Sequence, residues 1–344
     1  MMAQITDHKS QKERAIRLLV TGASGHIGYH ICRELVNSGY KVRAFVRPTS
    51  FCEHLRKLPV EIFQGNVLRK DDLHKATKGV DAVFHAAAVY KLSNETEGDL
   101  IIKTAVEGTK NLYEAAKKSG INKIVYTSSV AAVGSSRDKN RIMNEEDFAG
   151  KTTHSNSYAI AKIESEKIAL KLAEEYNIFT VICNPSTVIG KEDYKPTPSN
   201  RSILKCAGFN FIYVDGGQSF VDVEDVARGH LAAFLRGRNL ERYILSGENT
   251  EIRDVTVMIR GILGVKGPLF KLNKTLLRVP AFLCETAAKV IRKEPFITVK
   301  TVEKGIGNYS YYDHSKAGRE LGYAPKGLAE TMPGTLQWLM EKHG

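Results

Sequence analysis

Residues 17–28 read RLLVTGASGHIG, in which an apolar run leads into a turn with three glycines. Gly22, Gly25 and Gly28 stand three residues apart and open an amphipathic helix. Glycine permits a tight turn and close backbone approach, and the N-terminus of a helix attracts phosphate. The spacing is not GxGxxG, and a plain strand-to-helix turn is the simpler alternative. Because the turn follows the first strand, we predict that it binds the pyrophosphate of a dinucleotide.

Apolar, β-rich runs alternate with helical stretches through the first half of the chain. This alternation predicts a parallel sheet of βαβ units, and right-handed crossovers make it a doubly wound, Rossmann-like α/β fold. We predict strands at 17–21, 41–46, 60–63, 82–84, 123–127 and 180–183. Helices are predicted at 27–38, 98–119 and 156–176.

The sequence changes character after residue 184, where KEDYKPTPSNR (191–201) combines two prolines with several charges. Such a stretch is typical of an exposed excursion from a sheet. We predict a dinucleotide-binding domain of residues 15–189 with 219–247. A smaller, mostly C-terminal substrate-binding lobe is predicted for 190–218 with 248–344.

The composition of the 344 residues is that of a globular protein with a net charge of +12. Residues 266–304 carry nine Lys or Arg against three Glu, a surplus that attracts anions, although a solvated basic surface is the simpler interpretation. We expect no nucleic-acid partner. Without a signal-like N-terminus or an apolar run of about 18 residues, we expect a cytoplasmic protein. The five cysteines lack CxxC spacing and are expected to be reduced.

Tyr158 and Lys162 are four residues apart on a predicted helix, so their side chains share one face. An ammonium beside a phenol favours its ionised form and makes tyrosine a usable acid and base. An isolated pair of this kind usually means a partly buried ring beside a solvated charge. Here the pair follows both the glycine turn and the stretch YTSSVAAVG (126–134), and this order indicates a site of nicotinamide hydride transfer.

Arg47, in FVRPTS (45–50), stands at the end of the second predicted strand. An acidic residue at that place would bind the ribose hydroxyl of NAD, whereas a guanidinium suits the 2′-phosphate of NADP. We therefore favour NADP(H) over NAD(H), with a solvated loop arginine as the alternative.

The ordered motifs TGASGHIG, HAAA (85–88), YTSSVAAVG, YAIAK and NPST (184–187) resemble the extended short-chain dehydrogenase/reductase superfamily. The resemblance covers nearly the whole chain. Within the superfamily the chain is most similar to dihydroflavonol-reductase-like proteins and hopanoid-associated sugar epimerases. The matching stretches are NPSTVIGKEDYKPTPSNR, ERYILSGEN, and KEPFITV followed by SKAGRELGYAP.

The resemblance implies a catalytic triad of Ser129, Tyr158 and Lys162 and no metal ion. It also implies cofactor contacts from Gly22, Ser24, Gly25, His26, Ile27, Gly28, Arg47, Asn66, Val67, Ala86, Ala87, Ser128, Tyr158, Lys162, Pro185 and Ser186. Two positions depart from the family pattern: Asn66 replaces an aspartate, and Ala105 replaces an asparagine that makes a polar contact near the active centre.

Three functions compete. The first is reduction of a ketone or aldehyde, or oxidation of the alcohol. The second is a sugar-nucleotide epimerase or dehydratase with retained NAD, which Arg47 disfavours. The third is a cofactor-sensing scaffold, which an intact triad disfavours. By analogy we expect a homodimer through the helices at 98–119 and 156–176. The stretch 270–293 combines apolar and basic residues, which suggests a hydrophobic entrance for substrate and contact with an anionic membrane; the alternative is a helix that packs on its own lobe with its basic residues outward.

Overall fold

The computed structural model describes residues 15–87, 95–149, 157–290 and 305–344, together with Val299 and Val302. A parallel sheet of seven strands lies at the centre of the molecule. Its strands are β1 (Arg17–Thr21), β2 (Lys41–Val46), β3 (Glu61–Gln64), β4 (Ala82–His85), β5 (Lys123–Thr127), β6 (Phe179–Pro185) and β10 (Arg242–Leu245). Their order is β3-β2-β1-β4-β5-β6-β10, so the direction of winding reverses between β1 and β4. This order confirms the predicted Rossmann-like fold.

A second sheet joins the segments that leave the first one. It contains β7 (Thr187–Ile189), β9 (Gly217–Asp222), β11 (Glu248–Glu251) and β13 (Tyr309–Ser310), while β8 (Ile212–Val214) pairs with β12 (Phe270–Leu272). The strand β9 leads through α6 (Val223–Arg236) to β10, which is the predicted return of the chain to the central sheet. The domain boundaries proposed from the sequence stay a prediction.

The remaining helices flank the two sheets. They are α1 (His26–Asn37), α2 (Lys70–Thr77), α3 (Glu95–Lys118), α4 (Ser157–Tyr176), α5 (Pro198–Gly208), α7 (Ile252–Leu263), α8 (Lys274–Val290), α9 (Ser315–Leu321) and α10 (Leu328–His343). Short 3₁₀ turns occupy Leu55–Lys57 and Val130–Ala132. No helix of the described ranges is long and apolar enough to cross a membrane.

Several predicted bounds were wrong by a few residues. The strand β6 runs on to Pro185 because β10 pairs with it as far as Leu245 opposite Pro185. The strand β3 begins and ends one residue later than predicted, and α1 starts one residue earlier because Gly25 is its N-cap. The helix α3 begins three residues before the predicted 98. Ala88, Asn156 and residues 293–298 of KEPFITV lie outside the described residues.

Alternate residues of the central strands supply two cores. Leu18 and Val20 belong to the core under α1 and α6, whereas Leu19 belongs to the core under α3 and α4. This alternation is the two-residue period of a strand that is buried on both faces. A third core of apolar residues, including Phe220, Ile259 and Leu336, packs the second sheet against α7 and α10.

Candidate active site

The glycine turn joins β1 to α1 and is shaped by a left-handed residue. Gly22 has a φ of +70°, and a Cβ there would lie 2.7 Å from the main chain of Ala86 and Ala87. A Cβ on Gly28 would overlap the carbonyl oxygen of Gly22. No side chain caps the N-terminus of α1 at Gly25, which is exposed. The turn therefore leaves backbone and helix N-terminus open to a phosphate.

The predicted cofactor residues converge at the crevice where the strand order reverses. Ala86 donates its N–H to the carbonyl of Thr21 at 3.1 Å, which sets residues 86–87 beside the glycine turn. Farther along, the hydroxyls of Ser128 and Ser186 are buried and have no hydrogen-bond partner among the described residues. Unpartnered buried hydroxyls are costly unless a ligand or water satisfies them. The crevice thus offers unused polar groups to a dinucleotide.

Arg47 directly follows β2 and is exposed. In the described part of the chain, its guanidinium makes no ion pair and no hydrogen bond, so it is available to an anion. Asn66 is used differently: its Oδ1 accepts from the Leu68 N–H at 3.0 Å, and its own N–H donates to Asp72 at 3.0 Å. The departure from aspartate at this position therefore preserves the turn.

Val67 and Ala105 each use the main-chain oxygen to accept a hydrogen bond from a side chain of α3. The Val67 carbonyl accepts from Asn111 Nδ2 at 3.1 Å, and the Ala105 carbonyl accepts from Thr109 Oγ1 at 2.8 Å. The bond at Ala105 is internal to α3 and does not replace the polar side-chain contact that an asparagine would make at this position.

Ser129 and Lys162 both meet the C-terminal end of β5. Ser129 is the N-cap of the 3₁₀ turn, and its Oγ accepts from the Ala131 N–H at 3.1 Å. Lys162 Nζ donates to the Thr127 carbonyl at 2.9 Å. Both side chains are buried, and Tyr158 lies half-buried one turn earlier on α4. The structure therefore brings two members of the predicted triad, Ser129 and Lys162, to one strand end.

Two buried histidines surround Lys162, and neither was predicted to affect it. Burial lowers the pKa of His85 to about 3 and that of His230 to about 4, and the Lys162 charge acts in the same direction. His230 Nδ1 lies 2.7 Å from the Val226 carbonyl, so this nitrogen donates, and Nε2 accepts from Thr127 Oγ1 at 2.9 Å. Both imidazoles are therefore neutral at neutral pH.

His26 turns away from the crevice. Its Nε2 lies 2.9 Å from the Lys191 carbonyl and donates to it, and the side chain is buried. The predicted contact of His26 with the cofactor therefore depends on its main chain. Ser24 and Ile27 are half-buried in the same turn, and Pro185 is buried at the end of β6.

A polar network behind Ser129 was missed by sequence reasoning. Asn184 Nδ2 donates to the Ser129 carbonyl at 3.1 Å and to Glu166 Oε2 at 2.9 Å. Glu166 Oε1 lies 2.7 Å from Arg242 Nε, and both Asn184 and Glu166 are fully buried. The available signal was the position of Glu166, four residues after Lys162 on the same helix face.

Two carboxylates of the stretch VDVEDVA (221–227) and two buried cysteines have structural roles. Asp222 caps α6 by accepting from the Glu224 N–H at 2.8 Å, and Asp225 accepts from the Lys326 N–H at 2.9 Å. Cys32 and Cys183 are buried, and burial raises the pKa of both thiols. Within the described ranges no group of three or more His, Cys, Asp or Glu could hold a metal ion.

Fold and site together define a dinucleotide-binding α/β enzyme, and comparison with known proteins gives its family. Residues 18–245 match the NAD dependent epimerase/dehydratase family. A putative dihydroflavonol 4-reductase of Synechocystis sp. is 34% identical over 331 residues, which cover 94% of each chain. Sterol demethylase protein B of Methylococcus capsulatus is 28% identical over 327 residues, 94% of this chain and 98% of that one. The crystal structure of gox2253 has a TM-score of 0.82 at 36% identity, with 96% and 99% coverage.

The chain belongs to the NAD dependent epimerase/dehydratase family, within the extended short-chain dehydrogenase/reductase superfamily. It is an NAD(P)-dependent oxidoreductase that acts on CH–OH or C=O groups. The family resemblance predicted from the motifs is thereby confirmed.

Proposed function

We propose that this protein uses NADPH to reduce an apolar ketone or aldehyde, or oxidises the corresponding alcohol, with Ser129, Tyr158 and Lys162 as its catalytic residues. The observation that carries the proposal is the anchoring of Ser129 and Lys162 at the end of β5, beside the crevice that fits a dinucleotide. When bound, the cofactor supplies a hydride to the carbonyl carbon.

The hydrogen bonds of Ser129 and Lys162 prepare each group for its role. Because the Ala131 N–H donates to Ser129 Oγ, the serine proton is left to donate to the substrate oxygen. The ammonium of Lys162 has three N–H donors, and the described residues accept only the one directed at Thr127. The other two are left for ribose hydroxyls and for the phenol of Tyr158.

Tyr158 then completes the reaction by donating its proton to the carbonyl oxygen, and the product is the alcohol. The Lys162 charge favours the phenolate that remains. In the oxidative direction the same phenolate takes the proton of the alcohol. The dinucleotide would be held by the glycine turn and by Ala86, Ala87, Ser128, Pro185 and Ser186. Asn66 and Val67 would lie near the adenine.

The preference for NADPH rests on Arg47. An exposed guanidinium without a partner among the described residues can bind a 2′-phosphate through charge-assisted hydrogen bonds. A tightly retained NAD would gain nothing from it, which favours the reductase over the epimerase or dehydratase. A scaffold without turnover would not need the ordered triad.

The substrate class rests on the second lobe and on the named relatives. The helix α8 exposes Leu276, Val279, Phe282 and Leu283, each between 60% and 65%. Such a face suits an apolar compound, and we propose that it lies at the entrance to the site. Two relatives, by their names, concern a dihydroflavonol and a sterol, and both are polycyclic. Homodimer formation and contact with anionic lipid are separate proposals, which ultracentrifugation and vesicle co-sedimentation test.

A substrate panel tests the proposed function. Aliphatic, aromatic and polycyclic aldehydes and ketones are compared with UDP-sugars, and both NADPH consumption and sugar isomers are measured. We expect NADPH consumption with the apolar carbonyl compounds. Activity confined to UDP-sugars, without net consumption of cofactor, would overturn the proposal in favour of an epimerase.

A further inference from the structure

We propose that Asn184 is a positioning residue that fixes the main chain of Ser129 relative to Tyr158 and Lys162. This inference rests on the proposed function of the triad. An amide nitrogen has two N–H donors, and Asn184 directs them at the Ser129 carbonyl, 3.1 Å away, and at Glu166 Oε2, 2.9 Å away. Rotating the amide would place its oxygen against two acceptors. Its orientation is therefore fixed by the network.

Glu166 is held in turn by Arg242. A carboxylate without exposure is costly unless it is paired and hydrogen-bonded. Arg242 Nε lies 2.7 Å from Glu166 Oε1, and Arg242 NH1 donates to the carbonyls of Glu145 and Asp147 at 2.8 Å each. The carboxylate thus lies between the amide of Asn184, which donates a hydrogen bond to it, and Arg242 on β10, with which it forms an ion pair whose two contacting atoms do not have hydrogen-bond geometry.

The position of Glu166 on α4 connects this ion pair to the triad. Tyr158, Lys162 and Glu166 follow one another at four-residue intervals and share a helix face. The same helix therefore carries the proton donor, the ammonium and the carboxylate that grips Ser129 through Asn184. This chain of contacts sets the separation between the serine that follows β5 and the tyrosine on α4.

One polar atom of the network destabilises the folded state, and packing alone does not explain its presence. Asn184 Oδ1 is buried and has no hydrogen-bond partner among the described residues. An unsatisfied buried acceptor destabilises the folded state by about 1–3 kcal/mol. An apolar side chain would avoid that cost but would leave the Ser129 carbonyl without its donor, which accounts for an amide at this position.

A second buried asparagine supplies a matched control. Asn200 Nδ2 also donates to one carbonyl, that of Gly190 at 3.1 Å, and to one carboxylate, Asp193 at 2.9 Å, and it is fully buried. It makes no contact with the triad. Asn184→Ala and Asn200→Ala therefore each remove one bond to a carbonyl and one bond to a carboxylate, and Asn200→Ala also removes the longer bond, 3.4 Å, that the Gly190 N–H donates to Asn200 Oδ1.

The proposal is tested by comparing the two variants. Steady-state kinetics and solvent isotope effects are measured with NADPH and an accepted ketone, and thermal unfolding is measured beside them. We expect similar losses of thermal stability, with kcat lowered about tenfold or more in Asn184→Ala only, since small misplacement of catalytic groups is costly. The KM for NADPH should stay near that of the wild type, and the solvent isotope effect on kcat should rise. Equal kcat in the two variants would overturn the proposal.

A second pair of variants covers the case in which Asn184→Ala does not fold. Glu166→Gln keeps an oxygen for Asn184 but loses the charge that Arg242 pairs with, and Asp193→Asn is its counterpart in the control network. We expect a lower kcat in Glu166→Gln than in Asp193→Asn, and equal values would contradict the proposal. A Tyr158→Phe variant with wild-type turnover would instead refute the triad, so the two failures are distinguishable.

Discussion

Gly25→Ala separates cofactor binding from folding. The backbone of Gly25 is extended, with a φ of −81°, so alanine adopts it without strain. The added Cβ would lie 3.3 Å from the Gly22 carbonyl oxygen, which needs to give by only a few tenths of an ångström. Alanine is a poorer N-cap than glycine, so we expect the free energy of unfolding to fall by about 1 kcal/mol or less.

The same methyl group should weaken binding much more. If the pyrophosphate approaches the N-terminus of α1, the Cβ displaces it from at least one charge-assisted hydrogen bond, worth about 1.5–3 kcal/mol. The Kd for NADPH should then rise about tenfold to a hundredfold.

Fluorescence titration with NADPH and urea unfolding measure the two quantities. Gly261→Ala is the control, because a Cβ there meets nothing within 4 Å and the position is exposed on α7. It should keep the wild-type Kd. If Gly25→Ala also kept the wild-type Kd, the pyrophosphate would not lie on this turn.

Three further predictions concern the triad, the cofactor and pH. Tyr158→Phe should nearly abolish turnover with little change in the Kd for NADPH, while Lys162→Ala should impair both; steady-state kinetics and fluorescence titration check this. Calorimetry should find NADPH bound more tightly than NADH, and Arg47→Ala should remove most of the difference in affinity, which is about tenfold or more. Equal affinities of the wild type for the two cofactors would favour the epimerase or dehydratase that retains NAD. Because the pKa of His230 falls from 6.5 to about 4 on folding, the unfolded state binds more protons between these values. The contribution of His230 to the free energy of unfolding should therefore be fully present above pH 6.5. It should fall by about 1.4 kcal/mol per pH unit as the pH decreases towards 4. Urea unfolding of His230→Gln should show a shallower pH dependence, and an unchanged slope would refute this assignment.

The sequence predicted those parts of the fold that have strong local patterns. The strands β1, β2 and β5 have the predicted bounds because a glycine, proline or serine follows each apolar run within two residues. The helix α2 was missed because its sequence, KDDLHKAT, is mostly polar and buries only three residues. The exact end of β6 depended on its pairing with β10, which no local pattern contains.

The site residues likewise divide into those that local motifs predict and those that depend on long-range contacts. Motifs predicted the glycine turn and the pair of Tyr158 and Lys162, because each is encoded within a few residues, and the family resemblance added Ser129. The contacts of Asn184 with Ser129 and of His230 with Thr127 join residues 55 and 103 positions apart. Such pairs arise only when the sheet brings strand ends together, so spacing could not reveal them.

Deuterium transfer tests the central claim most directly. The enzyme is incubated with NADPH that carries deuterium at the transferable position of C4 and with an apolar ketone, and the product is analysed by mass spectrometry. We expect one deuterium on the alcohol carbon for each cofactor oxidised, and almost none with Tyr158→Phe. Isomerised sugar without net oxidation of cofactor, or wild-type transfer by Tyr158→Phe, would contradict the account.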